Sequence, residues 1–350
     1  MDGRLRDGPN GPEVLVGGDA RQRFHDSGGY GRPLDGNDVA LAPVEAAHLL
    51  FRGDLDAVRD GDERLDLPGL LRLTGGVRAF VVHRDLRDRG FYCSPARPGW
   101  TPGDAHEGCD VVVYPRGKGP SDGVVAHRVR VLGERDSLAL ATLLSDPTAV
   151  AVVDEEGEPT YFECTPEGPG GGTERTPLDL PTGVAADLLA DRAVAWDPPA
   201  ALYERGFFGQ RLAGRTADGG PLQLSLVEAA HLARETLALD GERVRERGRQ
   251  TEGERFDRRL CVYRAMRAAG AVPKSGFKFG ADFRAYDSFQ SVEEMGHSER
   301  LVRVVERSAR LQPRELSLDV RLAGGVRKRM VFAATALDSV EWLAVTRLTP

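Results

Sequence analysis

Lysine is almost absent from this 350-residue chain: Lys118, Lys274, Lys278 and Lys328 are the whole supply among 47 basic residues, and three of them fall in the last 80 residues. The other cations are arginines, a skew that genome composition or adaptation to salt produces and that covers the surface with planar, permanently charged groups. Cysteine is scarce too. Cys93, Cys109, Cys164 and Cys261 stand far apart with no CxxC pair, which excludes a zinc ribbon or a disulfide framework and leaves buried free thiols as the expectation. No apolar run approaches the roughly 18 residues a membrane helix requires, and the N-terminal MDGRLRDGPNGPEV lacks the hydrophobic stretch of a signal peptide. A cytoplasmic protein without membrane contact is therefore expected. A formal net charge of −7 excludes a uniformly basic nucleic-acid coat.

The charge is unevenly spread. The last hundred residues carry 18 Lys and Arg against 13 Asp and Glu, whereas the first 250 carry 29 against 41. A basic end on an acidic chain predicts a localised anion site in the second half. The two halves are also copies of one another. VEAAHLL at Val44–Leu50 returns as VEAAHLA at Val227–Ala233, and GGYGRPL at Gly28–Leu34 as GFFGQRL at Gly206–Leu212. VHRDLRDRG at Val82–Gly90 returns as VYRAMRAAG at Val262–Gly270, and RVRVL at Arg128–Leu132 as LVRVV at Leu301–Val305. Both halves close on an apolar strand, a turn and another strand. The Gly- and Pro-dense TPEGPGGGTERTPLDLPTG, Thr165–Gly183, reads as a linker, since no GK[ST] follows it, and PRGKGPSDG at Pro115–Gly123 fits no nucleotide-loop spacing either. The expected domains are a first repeat over 1–166, a linker over 167–183 and a second repeat over 184–350, the latter divided into 184–255 and 256–350.

Within each half the pattern predicts a small α/β subdomain followed by a mixed sheet with helices on its faces, an α+β tandem duplication. VEAAHL opens a helix in each copy, where His48 and His231 read as structural. Leu260, Tyr263, Met266 and Arg267 recur at helical steps up to the stop at Gly270. AVPKSGFKFG, DFRAYDSF and ERLVRVV read as strands, PRELSLDVRLAGG as a helix ending at Gly324–Gly325, and two strands follow.

One stretch concentrates what the rest lacks. KSGFKFGADFRAYDSFQ, Lys274–Gln290, holds four Phe, one Tyr and three cations in a chain with 7% aromatics. With the later HSERLVRVV, VRKRMVFAA and VTRLTP it resembles the catalytic repeat of the archaeal tRNA-splicing endonucleases, the first half resembling a diverged copy. Tyr286, His297 and Lys328, spaced by 11 and 31 residues, match that family's pattern. The resemblance implies a nuclease-like second subdomain that cuts precursor tRNA at bulge–helix–bulge sites without metal or cofactor, leaving 2′,3′-cyclic phosphate and 5′-hydroxyl ends. It assigns Tyr286 as base, His297 as general acid and Lys328 as the cation that stabilises the transition state. By the same likeness Arg321 and Arg347 sandwich an unstacked bulge base, and Lys274, Lys278, Arg284 and Arg300 are phosphate contacts. The resemblance also implies that two chains form a homodimer, with the acidic turn Asp154, Glu155 and Glu156 docking in a basic cleft of the partner. Tyr114 stands opposite Tyr286 in the first half, but the positions of His297 and Lys328 fall near Val124 and Pro147, so that half is expected to be inactive; His127 aligns with Arg300. Two alternatives stay open from the residues: a metal-dependent nuclease using Asp282, Asp287 and Glu293 or Glu294, and a non-catalytic RNA-binding or structural subunit.

Overall fold

The computed structural model describes residues 1–101, 108–145, 149–171, 179–215, 217–233, 235–337 and 339–350. Each half begins with a small sheet and a helix opened by the VEAAHL motif: α1 (Pro43–Arg52) and α2 (Val77–Asp88) in the first half, α3 (Leu226–Leu232), α4 (Gly241–Glu252) and α5 (Arg255–Ala268) in the second. The repeated motifs meet in one polar node per half. Glu45 accepts the backbone N–H groups of Gly31 (2.8 Å) and Ala42 (2.9 Å), and Glu228 those of Gly209 and Ser225 (both 3.0 Å). Arg87 donates to Gly28 O (2.7 Å) and lies over the Tyr30 ring (3.9 Å); Arg267 donates to Gly206 O (2.8 Å) and lies over Phe208 (4.0 Å). Gly31 and Gly209 sit at φ +66° and +64°, where a side chain would collide with a neighbouring carbonyl. The duplicated sequence is thus the duplicated solution to one problem, satisfying a buried turn's backbone.

The second subdomains fuse into a single ten-stranded sheet. The first half supplies β1 (Cys93–Pro95), β2 (Val111–Val113), β3 (His127–Gly133), β4 (Ala149–Val153) and β5 (Pro159–Glu167). The second supplies β6 (Val272–Ser275), β7 (Phe283–Tyr286) and β8 (Arg300–Glu306), then helix α6 (Pro313–Gly325) and the strands β9 (Arg329–Ala336) and β10 (Ser339–Leu348). Their order across the sheet is β6-β7-β8-β9-β10-β5-β4-β3-β2-β1, so the two five-stranded units stand back to back about the antiparallel β10–β5 pair. Each unit contains one parallel pair, β8 with β9 and β3 with β4. One core lies between the sheet and α6 and takes Phe332 and Leu343 from the second half with Val150 and Phe162 from the first, so the two halves share it. Cys93 and Cys164 are buried and Cys109 and Cys261 half-buried, and none of the four is in a disulfide.

The chain departs from expectation in two places. The linker starts later than residue 167, because Glu167 still pairs with Trp342 at the end of β5. Beyond it Gly171 passes so close to α5 that a Cβ would stand 2.0 Å from Ala269 O. Second, AVPKSGFKFG is not one strand: β6 ends at Ser275 and a 3₁₀ turn, Phe277–Phe279, leads into β7.

Candidate active site

Register gathers the three candidates at one end of three adjacent strands. Ala285 pairs with Arg300 across β7 and β8, and Arg300 with Arg329 across β8 and β9. Tyr286 therefore ends β7, His297 lies three residues ahead of β8, and Lys328 immediately precedes β9. The Lys328 ammonium donates to the carbonyl of Ser298, the residue after His297, and lies 5.8 Å from the centre of the Phe279 ring. Burial and the nearby charge of Arg284 hold Lys328 below its usual value, against the pull of Glu299. Tyr286 is buried, with Phe207 at 5.8 Å between ring centres and the Arg284 guanidinium 5.9 Å from its own. His297 is exposed.

Glu299 is a member of this group that sequence reasoning passed over. Its carboxylate accepts the Asp287 N–H (2.9 Å), its backbone N–H donates to Ala285 O (3.0 Å), and its carbonyl accepts from Arg329 N (3.0 Å), so it locks the ends of β7 and β9 together. Only the signal that it precedes a strand, next to HS, marked it.

The six cations expected on phosphate or base divide sharply. Lys278, Arg284, Arg321 and Arg347 have no hydrogen-bond or ion-pair partner among the described residues. Arg321 lies exposed on α6 and lines a groove with Val152, Asp154 and Thr160; Arg347 alternates with the buried Leu343 and Val345 of β10 and so faces the same side of the sheet as α6. Lys274 and Arg300 are corrections. Lys274 is interior: its ammonium donates to Phe207 O (3.1 Å), Gly209 O (2.8 Å) and Glu228 Oε1 (2.7 Å), so all its protons are used inside the protein. Burial raises the Glu228 carboxyl, but Lys274 and the N–H donors outweigh it and hold the group below its ordinary range. Arg300 is likewise consumed, by Asp287 (2.8 Å), Glu167 (3.1 Å) and Gly168 O (2.9 Å). It ties the end of β5 to the floor of the site.

The carboxylates of the metal-dependent alternative do not converge. Asp282 is buried against Arg255 (2.6 Å) and Arg259 (3.3 Å) and accepts from Val304 N (2.9 Å), Asp287 belongs to Arg300, and Glu293 and Glu294 are exposed in a turn. Among the described residues no three His, Cys, Asp or Glu side chains are placed to share an ion.

In the first half Val113 pairs with His127 as Ala285 pairs with Arg300, so Tyr114 holds the position of Tyr286 and His127 that of Arg300. Tyr114 is fully buried and Val124 is an exposed valine; Pro147 lies outside the described residues. The acidic turn joins β4 to β5. Asp154 caps it by accepting from the N–H groups of Glu156 (3.0 Å) and Glu158 (2.9 Å), and Glu155 meets Arg135 of its own chain (2.5 Å).

A duplicated sheet whose second copy gathers a phenol, an imidazole and an ammonium at strand ends, with free arginines nearby, defines the class of a nuclease acting on an anionic polymer. The comparisons agree. Residues 256–342 match the family model for the tRNA intron endonuclease catalytic C-terminal domain, and residues 10–71 and 184–243 both match that for its N-terminal domain. The chain is 58% identical to a tRNA-splicing endonuclease of Haloferax volcanii, with both chains covered completely, and 55% identical to that of Halobacterium salinarum, again over 100% of each. A tRNA-splicing endonuclease of Methanosarcina mazei is 35% identical over 97% of each chain. This chain belongs to the tRNA intron endonuclease family. It is an enzyme, an RNA endonuclease.

Proposed function

We propose that the protein excises introns from precursor tRNA by metal-independent transesterification at bulge–helix–bulge sites, working as a homodimer. The observation that carries the reading is the register of β7, β8 and β9, with Tyr286, His297 and Lys328 at one end and the Lys328 ammonium on the carbonyl next to His297. In the reaction the substrate's own 2′-oxygen attacks the adjacent phosphorus and the P–O5′ bond breaks. The nucleophile is intramolecular, so positioning supplies much of the acceleration. Tyr286 takes the 2′-hydroxyl proton, His297 gives a proton to the leaving 5′-oxygen, and Lys328 meets the charge on the pentacoordinate phosphorus. The Arg284 guanidinium lies 5.9 Å from the centre of the Tyr286 ring.

Arg321 and Arg347 take an unstacked bulge base, since a planar guanidinium stacks on a base face while its edge donates to phosphate. The acceptor for the partner's acidic turn is a cleft of about 1180 Å³ lined by Arg245, Arg249, Arg258 and Arg264. Four carboxylates share the lining, Glu167, Glu254, Asp257 and Glu306; Asp257 pairs with Arg249, and Glu306 and Glu254 with Arg258. Burial and the charge of Arg245 both hold Arg264 below its usual value, a like-charge pair that an incoming carboxylate relieves.

The test is incubation of the purified protein with an intron-containing precursor tRNA in EDTA. Cleavage to 2′,3′-cyclic phosphate and 5′-hydroxyl ends is expected; cleavage only on adding Mg²⁺ overturns the mechanism. His297→Ala is expected to slow cleavage by roughly 10² or more with RNA affinity near wild type.

A further inference from the structure

Of the four phenylalanines in Lys274–Gln290, three pack. Phe283 is buried, Phe279 lies against the core under α6, and Phe289 stacks on Phe207 at 5.3 Å with the rings 9° apart. Phe277 does not: it is 86% exposed. A single apolar side chain on a surface is ordinary. Its mounting and its neighbours are not.

The turn that carries Phe277 is tightly built. Gly276 N donates to Asp282 O (3.2 Å), and Phe279 N (2.8 Å) and Ala281 N (3.3 Å) both donate back to Gly276 O. A Cβ on Gly276 would stand 2.7 Å from Ala281 O and 2.8 Å from Phe283 C, so the turn closes to a distance that only glycine permits. Its far end is fixed by buried Asp282 between Arg255 and Arg259. The backbone that carries Phe277 is therefore ordered before anything binds. The turn borders the candidate site: Phe279, two residues on, has its ring centre 5.8 Å from Lys328 Nζ. Lys278, between them, is exposed and without a partner among the described residues. On the other side a Cβ at Gly280 would lie 4.0 Å from Leu322 Cδ1 on α6, next in sequence to Arg321.

We propose that Phe277 is a stacking platform that binds an unpaired base of the bulge. The proposal rests on the reading of the site as an RNA-cutting centre. A lone exposed ring followed in sequence by Lys278, unpartnered among the described residues, on a turn whose next aromatic lies against Lys328, fits a nucleobase and its phosphate better than it fits a protein surface. Every base presents a π face, so the platform selects for an unstacked base and not for its identity.

The test uses bulge–helix–bulge RNAs carrying 2-aminopurine at each bulge position in turn, bound to the His297→Ala protein so that no cutting intervenes. One position is expected to be quenched with Phe277 present and to brighten in the Phe277→Ala background, with affinity falling roughly 5- to 100-fold. Phe277→Trp and Phe277→Tyr are expected to retain quenching and affinity, whereas Phe277→Leu, apolar but without a π face, behaves like alanine. In the cutting enzyme Phe277→Ala raises KM by that factor and leaves kcat within a few-fold. Unchanged quenching and affinity in Phe277→Ala overturn the platform, as does full function in Phe277→Leu or a loss that tracks a change in oligomeric mass. Failure of the wild-type protein to cut in EDTA instead strikes the mechanism, and the fluorescence still reports on the platform.

Discussion

A buried cation and an exposed one give opposite results when removed, and the arginine and lysine side chains here divide on that line. Lys274→Ala leaves Glu228 buried with its charge uncompensated and is expected to cost about 3–5 kcal/mol of stability, seen as a lower urea midpoint. The salt dependence of RNA binding in the same variant is expected to stay unchanged, because no phosphate contact has been removed. Arg321→Ala with Arg347→Ala predicts the reverse: wild-type stability and weaker binding of a bulged duplex, checked against an unbulged control. Histidines set the response to acid. Burial and the Arg87 charge hold His48 at about 4, burial and Arg267 hold His231 at about 4, and burial beside Arg87 keeps His83 well below its usual value. Unfolded rings take up protons below about 6.5 while these folded rings do not, so the unfolded state binds more protons as pH falls from there toward 4. The stability these groups contribute is present above that window and drains through it, by at most about 1.4 kcal/mol per pH unit for each ring. Urea melts at pH 7.5 and pH 5 measure it.

At the scale of elements the two halves differ most in the connection across the parallel strand pair. Between β8 and β9 the chain forms the 13-residue α6, which carries Arg321 and covers the shared core; between β3 and β4 the helix is the six-residue Leu140–Ser145. The helices and strands of the second half were readable because their apolar spacing agrees with their burial: α5 buries Leu260, Tyr263 and Met266, and α6 ends at Gly325. The turn at Gly276–Gly280 was not readable. Alternating aromatics look like a strand, and what bends them is a close backbone approach at Gly276 that no residue pattern reports. The same holds for β5, where Pro166 and Glu167 stay in the sheet because β10 supplies their partners. Arg300→Ala leaves Asp287 and Glu167 with Arg329 as their remaining ion-pair partner, and is expected to lower cleavage and the thermal midpoint together.

At the scale of the molecule, fusion of the units about the β10–β5 pair puts on one chain both the acidic β4–β5 turn and the Arg245–Arg264 cleft that the proposed homodimer joins. Serine at Asp154, Glu155 and Glu156 together is expected to shift the sedimentation mass from twice the chain value toward the single-chain 37.9 kDa, most strongly at low salt, where charge attraction is least screened. Sequence by itself determined the duplication and the family, since repeats and motif spacing are properties of the chain read in order. Only the tertiary structure decided which cations are free. Lys274 and Lys278 stand four residues apart with the same charge; one meets a buried carboxylate and two carbonyls across a subdomain boundary, and the other meets solvent. Burial and partner choice depend on residues distant in the chain, and a cation becomes available to a phosphate only where folding has left it without a nearer anion.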